Sequence, residues 1–217
     1  MESDGTQITG LPSRAQVYAI VGIAAIAWAV LLLFQGASLQ SSFVKPYAAA
    51  VAVVILCFEI FDRWLWRLGL VPRLTGHPLL RGTWKGQLLS TWVDPETGDL
   101  AGPIDVFLVV RQTYSTIDAR LISNESTSVS LVSSLDARRD GVTTMQWTYR
   151  NTPGLLLQKR SRIHHGAVML EVHGTPPKRL SGYYWTDRDT KGELNFGSRS
   201  SKVHTDFEGA SSDTYAA

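Results

Sequence analysis

The sequence predicts two N-terminal transmembrane α-helices followed by an all-β domain, an eight-stranded antiparallel small β-barrel. Three observations carry that expectation. Residues 17–34 hold no charged or strongly polar side chain, and a second apolar stretch reaches residue 61 with Glu59 as its only charge after Lys45. Beyond residue 81, apolar and polar residues alternate, broken at short intervals by Gly, Asn, Asp and Pro. A spanning helix needs about 20 apolar residues, because its backbone must be bonded internally where water is absent. Period-two patterning with frequent turn chemistry marks an all-β sandwich or barrel.

The spans are read at 17–34 and 46–61 within an N-terminal unit of residues 1–67. Their apolar residues surround the helix instead of forming one stripe, which argues against a core helix. The first is too long for a signal peptide and a second follows it closely. Pro46 suits a first helical position. Arg14, Arg63, Arg67 and Arg73 flank the outer ends, whereas the short connection carries only Lys45. The positive-inside rule then puts both termini and the β-domain in the cytoplasm. Gly22, Ala24, Ala25, Ala27 and Ala29 would permit close helix contact.

Residues 68–80, with Gly69, Pro72, Gly76 and Pro78, read as a linker. The barrel is expected over 81–200, with strands at 82–93, 103–112, 115–123, 126–136, 142–151, 165–173, 179–187 and 191–199. Turns are expected at 94–99, 138–141, 151–154 and 187–192. One inward face can be traced through Gly82, Trp84, Gly86, Ile104, Val106, Leu108, Val110, Ile117, Ala119, Leu121, Met145, Trp147, Tyr149, Leu180, Gly182, Tyr184, Leu194 and Phe196. Closure removes exposed edges, and eight strands leave room for one small ligand; a two-sheet sandwich is the rival. The Ser-, Asp- and Gly-rich residues 201–217 are expected to be disordered.

The chain carries 21 Lys and Arg against 19 Asp and Glu, a net +2. Such a balance, without a basic run, argues against duplex nucleic acid as a partner. Cys57 is the single cysteine, so no intramolecular disulfide forms. His164, His165 and His173 cluster without cysteine or paired carboxylates at metal spacing. No nucleophile elbow or phosphate-cradling loop is present. A non-enzyme without metal or cofactor is expected.

Gly82-Thr83-Trp84-Lys85-Gly86 opens the barrel much as a Gly-x-Trp motif opens lipocalins, so a lipocalin-like barrel with Trp84 at its bottom is expected. With that motif go the paired apolar segments, Arg111-Gln112, Ser128 and Ser130, Tyr149 with Asn151-Thr152-Pro153-Gly154, and His165-Gly166. Most specific is the alternate-position series Leu180, Gly182, Tyr184, Thr186, Arg188, Thr190 and Gly192. Together they resemble the SMODS-associating two-transmembrane β-strand-rich effectors, the CD-NTase-associated membrane proteins of bacterial CBASS anti-phage systems. The resemblance implies that a cognate nucleotidyltransferase makes a cyclic di- or trinucleotide and that the barrel binds it. Copies then associate, and the helices disrupt the lipid bilayer of the inner membrane, killing the infected cell.

Such a ligand asks for aromatic platforms, hydroxyl or amide groups and a forked cation. Tyr184, Thr186 and Arg188 share parity toward one strand end and are the leading binding candidates. Tyr149 and Gln112 close their strands on the inward face and join them. Trp84 is included, with a structural plug as its competing role. Arg111 and Arg120 fall outward, and His165 is expected to brace a turn. A membrane-tethered carrier for an apolar ligand, or a scaffold for a protein partner, is the alternative function.

Overall fold

Side chains of Met145, Trp147, Tyr149, Asn151 and Pro153 are buried while Gln146, Thr148, Arg150 and Thr152 between them are exposed, which is what a strand with one face on a core requires. The computed structural model describes residues 6–7, 14–34, 41–68, 71–72, 76–93, 98–100, 102–137, 142–159 and 161–216. The expected turn at 138–141, residues 94–97 of the turn before it, most of the short inter-helix connection and Arg73 lie outside them. The described elements are β1 (Thr6–Gln7), α1 (Arg14–Phe34), α2 (Ser41–Arg63), β2 (Gly82–Ser90), β3 (Ile104–Gln112), β4 (Thr116–Ile122) and β5 (Ser126–Ala137). After these come β6 (Thr143–Pro153), β7 (His164–His173), β8 (Arg179–Thr186), β9 (Lys191–Ser200) and a short helix, α3 (Phe207–Ser211).

The strand order is β1-β4-β3-β2-β9-β8-β7-β6-β5, and β5 pairs back onto β4. Strands β2 to β9 therefore close into an eight-stranded antiparallel barrel, and the sandwich is excluded. The closing seam is short, Arg120 to Ile122 against Thr127 to Val129. The free part of β4, Thr116 and Ile117, is covered by the two-residue strand β1. Register shifts at Lys85/Gly86 and Ser130/Val132 supply local bends that help the sheet curl round on itself.

Most of the inward face read from the alternation is the barrel core: Trp84, Leu108, Val110, Ile117, Met145, Leu180, Leu194 and Phe196 are fully buried, joined by Leu170 of β7, whereas Ile104 is exposed. Strand β3 departs from alternation, with Val106 through Val110 all buried. A second cluster explains it. Phe107 and Val109 point outward and are covered by Ala210, Phe207, Tyr215 and Val203. Phe107 meets Phe207 edge-on at 5.4 Å and Tyr215 at 5.8 Å.

The tail is therefore not disordered but strapped across β3. Asp206 caps α3 by accepting from the Gly209 N–H at 2.7 Å. Asp213 accepts from Ser200 Oγ (2.6 Å), Lys202 Nζ (2.8 Å) and His204 Nε2 (2.8 Å). Ala216 completes the strap by bridging to Arg199. Two aromatic anchors and one hydrogen-bonded acid order a segment whose composition resembles that of a disordered tail.

A second correction concerns the helices. Both apolar segments are helical, and the Tyr18 hydroxyl of α1 donates to Glu59 of α2. Among the described residues, however, no helix is long and apolar enough to cross a membrane. The expected transmembrane pair is not upheld, and the inner-membrane location that rested on it falls with it. Ile20, Ile23, Ile26, Val54 and Leu56 are exposed.

Instead, the end of α2 is joined to the barrel. Asp62 is fully buried, accepts from the Ser115 N–H through Oδ1 at 2.8 Å and from the Tyr114 N–H through its carbonyl at 3.0 Å. Phe61 packs edge-on against Tyr114 at 5.0 Å, and the buried Trp66 lies 5.4 Å from His77 and 6.1 Å from Tyr114. Burial holds His77 down at about 4, so it is neutral at pH 7.

The three donors on Asp213, Lys202 first, hold its carboxyl well below the ordinary carboxylate range. A depressed acid contributes stability that is present above its unfolded value, about 3.9, and is lost as pH falls toward the folded value. Acid unfolding followed by circular dichroism should therefore show a shallower loss of stability below about pH 5 in Asp213→Asn than in the unmodified chain; identical acid limbs would contradict the role given to Asp213.

Candidate functional site

Antiparallel strands alternate in direction, so the ends of β2, β4, β6 and β8 share one rim with the starts of β3, β5, β7 and β9. At that rim the core stops and a cavity of about 550 Å³ opens. Its walls carry Trp147, Tyr149 and Asn151 of β6, Tyr184 and Thr186 of β8, and Ser128 of β5. Trp92, Glu125, His164, Arg188 and Thr190 stand at the mouth.

The two tyrosines lie against glycines. Tyr149 pairs across the ladder with Gly166, and Tyr184 with Gly192. A Cβ at Gly166 would sit 2.5 Å from Tyr149 Oη, and one at Gly192 2.7 Å from Tyr184 Cε1. Only a hydrogen at those positions lets each ring rest on the opposite strand. The Tyr184 hydroxyl donates to Ser90 Oγ at 2.7 Å, fixing that ring. Burial raises both phenol pKa values, with the nearby Tyr184 hydroxyl and Asp187 adding to the rise at Tyr149. Both hydroxyls keep their protons at neutral pH and remain donors.

Arg188 sits two residues beyond the end of β8, in the turn to β9. The Thr186 and Thr190 hydroxyls are 2.7 Å apart, and the Arg188 N–H donates to Thr186 Oγ1 at 3.1 Å. Asp189 adopts φ 57°, the left-handed conformation such a tight reversal demands. Asp187 fastens the turn to β7, its carboxylate accepting from the His165 N–H at 3.0 Å. The Arg188 guanidinium reaches the Arg162 carbonyl at 3.4 Å and is exposed at the mouth. His164 contacts the same carbonyl from Nδ1 at 3.0 Å. A carbonyl only accepts, so Nδ1 carries the hydrogen and Nε2 is an acceptor. Burial lowers the His164 pKa and Arg188 adds to that, which favours the neutral ring.

Of the candidates read from the sequence, Tyr184, Thr186, Arg188 and Tyr149 come together on this cavity. Gln112 and Trp84 do not. Gln112 ends β3 at the opposite end, where its Oε1 accepts from the Leu80 and Arg81 N–H groups at 2.8 and 3.2 Å. Its Nε2 donates to the Pro78 carbonyl at 3.0 Å, so the side chain pins the linker. Trp84 donates from Nε1 to the Leu80 carbonyl at 2.9 Å, with the Arg199 guanidinium 5.3 Å above its ring. It fills the closed end. Ser90, Trp92, Ser128, Asn151, His164 and Thr190 line the cavity too but were not among the binding candidates. For Asn151 the signal was available: it continues the inward parity of Trp147 and Tyr149. Among the described residues no group of His, Cys, Asp and Glu is arranged to hold a metal ion.

A closed antiparallel barrel, packed at one end and open at the other onto a cavity with aromatic walls and a guanidinium at its mouth, defines a small-ligand receptor domain. The family described as "Cap15, cyclic dinucleotide receptor domain" matches residues 75–198, and the chain belongs to that family. It is also 25% identical over 134 residues, 62% of this chain and 68% of the other, to CD-NTase-associated protein 15 of Staphylococcus schleiferi. These likenesses support the resemblance at the level of CBASS-associated receptors; its two-transmembrane part is not supported.

Gly166→Ala should lower stability by about 1–3 kcal/mol, the usual range for overpacking a tight site, because the added methyl meets Tyr149 and the Trp185 carbonyl. Urea denaturation reads this directly. An unchanged midpoint would mean that the ring does not rest on β7.

Proposed function

We propose that this chain is a receptor that takes a cyclic dinucleotide into the open end of its barrel, and that binding, not turnover, is its activity. The supporting observation is the cavity of about 550 Å³ walled by Tyr149 and Tyr184 with Arg188 at its mouth, in a chain of the cyclic dinucleotide receptor domain family. Small-ligand pockets run from about 300 to 1,000 Å³. Aromatic rings stack nucleobases of any identity, at about 1–3 kcal/mol per base. A guanidinium offers paired donors to a phosphate, and neutral His164 adds an acceptor without adding charge. The Tyr149 hydroxyl, which stays protonated, can donate to a phosphate or sugar oxygen, while that of Tyr184 is held by Ser90.

In this reading the messenger comes from a cognate nucleotidyltransferase of a CBASS system, and a cyclic trinucleotide is a larger ligand of the same chemistry. The ligand itself is the activating group, and no cofactor is invoked. Self-association of liganded copies is the output we propose. It is supported by the apolar patch that Met169, Tyr183 and Trp185 expose on the outer faces of β7 and β8. Light scattering with and without ligand checks it: a ligand-dependent rise in mass is expected, and an unchanged monomer mass contradicts it.

Differential scanning fluorimetry of the full chain against cyclic di-AMP, di-GMP and di-UMP tests the receptor reading. Ligand at 100 times its dissociation constant adds about 2.7 kcal/mol, so at least one should raise the midpoint by several degrees. Arg188→Ala should weaken every cyclic dinucleotide by about tenfold to a hundredfold, the cost of a charge-assisted hydrogen bond. No stabilisation by any of them at high micromolar concentration would contradict the reading.

A further inference from the structure

Alternation gives β8 two working faces. Tyr184 lines the cavity, while its neighbours Tyr183 and Trp185 point outward and are 64% and 49% exposed. Across the ladders Tyr183 stands between Met169 of β7, 42% exposed, and Glu193 of β9. Trp185 stands between Ala167 of β7 and Lys191 of β9. Lys191 and Glu193 are both exposed. The outer face of β7, β8 and β9 therefore carries two rows, one of Ala167, Trp185 and Lys191 and one of Met169, Tyr183 and Glu193. Singly scattered apolar residues are ordinary on a surface, but two aromatic rings and a methionine side by side have the composition of a protein interface core.

We propose that liganded copies of this chain pair through this face, about a two-fold axis that crosses β7, β8 and β9 between the two rows. The inference rests on the receptor reading and deepens its output, naming the occupant of the patch, a second copy, and the way it lies. A two-fold interface sets one surface against itself, and each contact occurs twice. An axis laid along the strands would place Lys191 and Glu193 on the apolar Ala167 and Met169 of the second copy, desolvating charges without partners. An axis laid across them sets row on row. Trp185 then meets Tyr183 of the second copy, Ala167 meets Met169, and Lys191 meets Glu193. Aromatic rings pack on aromatic rings and opposite charges face each other at the margin, so charge complementarity selects this arrangement. β8 holds the ligand on its inner face through Tyr184 and the second copy on its outer face through Tyr183 and Trp185.

The test is sedimentation velocity of the full chain with cyclic di-AMP, cyclic di-GMP and cyclic di-UMP in turn, with ligand binding read separately from the melting midpoint. The ligand that raises the midpoint should also produce a species of twice the monomer mass. Lys191→Glu and Glu193→Lys should each weaken pairing by at least about tenfold, because each sets like charges together twice. Mixed in equal amounts, the two variants should regain it: one copy then carries Glu at both positions and the other Lys, and both contacts are again between opposite charges. Trp185→Ala should abolish pairing while the ligand still raises the midpoint, and if that variant does not fold, the exposed charge variants decide. A midpoint raised by ligand in a chain that stays monomeric overturns the inference and leaves the receptor intact. So does a mixture that associates no better than its components, or a liganded monomer that cosediments with phosphatidylglycerol vesicles unless Trp185 is replaced, which assigns the face to lipid. No rise in midpoint with any of the three ligands overturns both readings.

Discussion

The site depends on two rings lying flat against two glycines. In a closed barrel every inward side chain competes for one interior, and a Tyr pointing straight across from Tyr149 or Tyr184 would fill it. Because Gly166 and Gly192 face these residues across the ladder, each ring folds onto the neighbouring strand. Wall area replaces plug. The hollow that results is bounded by aromatic faces, and the Tyr184 hydroxyl finds Ser90 on the way. Gly166 and Gly192 thus carry the shape of the cavity.

The two ends of the barrel divide the work. At the closed end Trp84, Leu180, Phe196 and their neighbours are fully buried, Gln112 pins residues 78–81, and Asp62 with Trp66 joins α2 to the turn between β3 and β4. The C-terminal strap adds a second layer over β3. That end is stiffened by the buried hydrogen bonds of Gln112 and Asp62. At the open end the polar groups form a turn with Arg188 at its tip, braced by Asp187, Thr186 and Thr190. A stiff frame with a braced rim can hold recognition atoms in place before a ligand arrives, which lowers the ordering cost of binding.

Much of this was legible in the sequence, and the failures have physical reasons. Period-two alternation gave the eight barrel strands and the inward face almost residue by residue, because closure buries one side of every strand. It could not give depth along the barrel. Gln112 and Tyr149 both end a strand on the inward face, yet β3 and β6 run in opposite directions and end at opposite rims. Counting strand direction would have separated them. Arg188 lies on the cavity although β8 stops at Thr186, since the turn continues the rim. The tail misled because its Ser, Gly and Asp content hides two anchors, Phe207 and Tyr215, whose partners Phe107 and Val109 come from an outward face that alternation assigns to solvent. Apolar runs predicted helices, and helices are present; among the described residues none is long and apolar enough to cross a membrane.

A crystal structure of the full chain with a bound cyclic dinucleotide tests the central claim most directly. The account predicts a base stacked on each of Tyr149 and Tyr184, about 3.5–4 Å from the ring planes, with a phosphate oxygen within hydrogen-bond distance of the Arg188 guanidinium. Ligand bound instead on the outer face of the sheet, or beside Gln112 and Trp84 at the closed end, would contradict it.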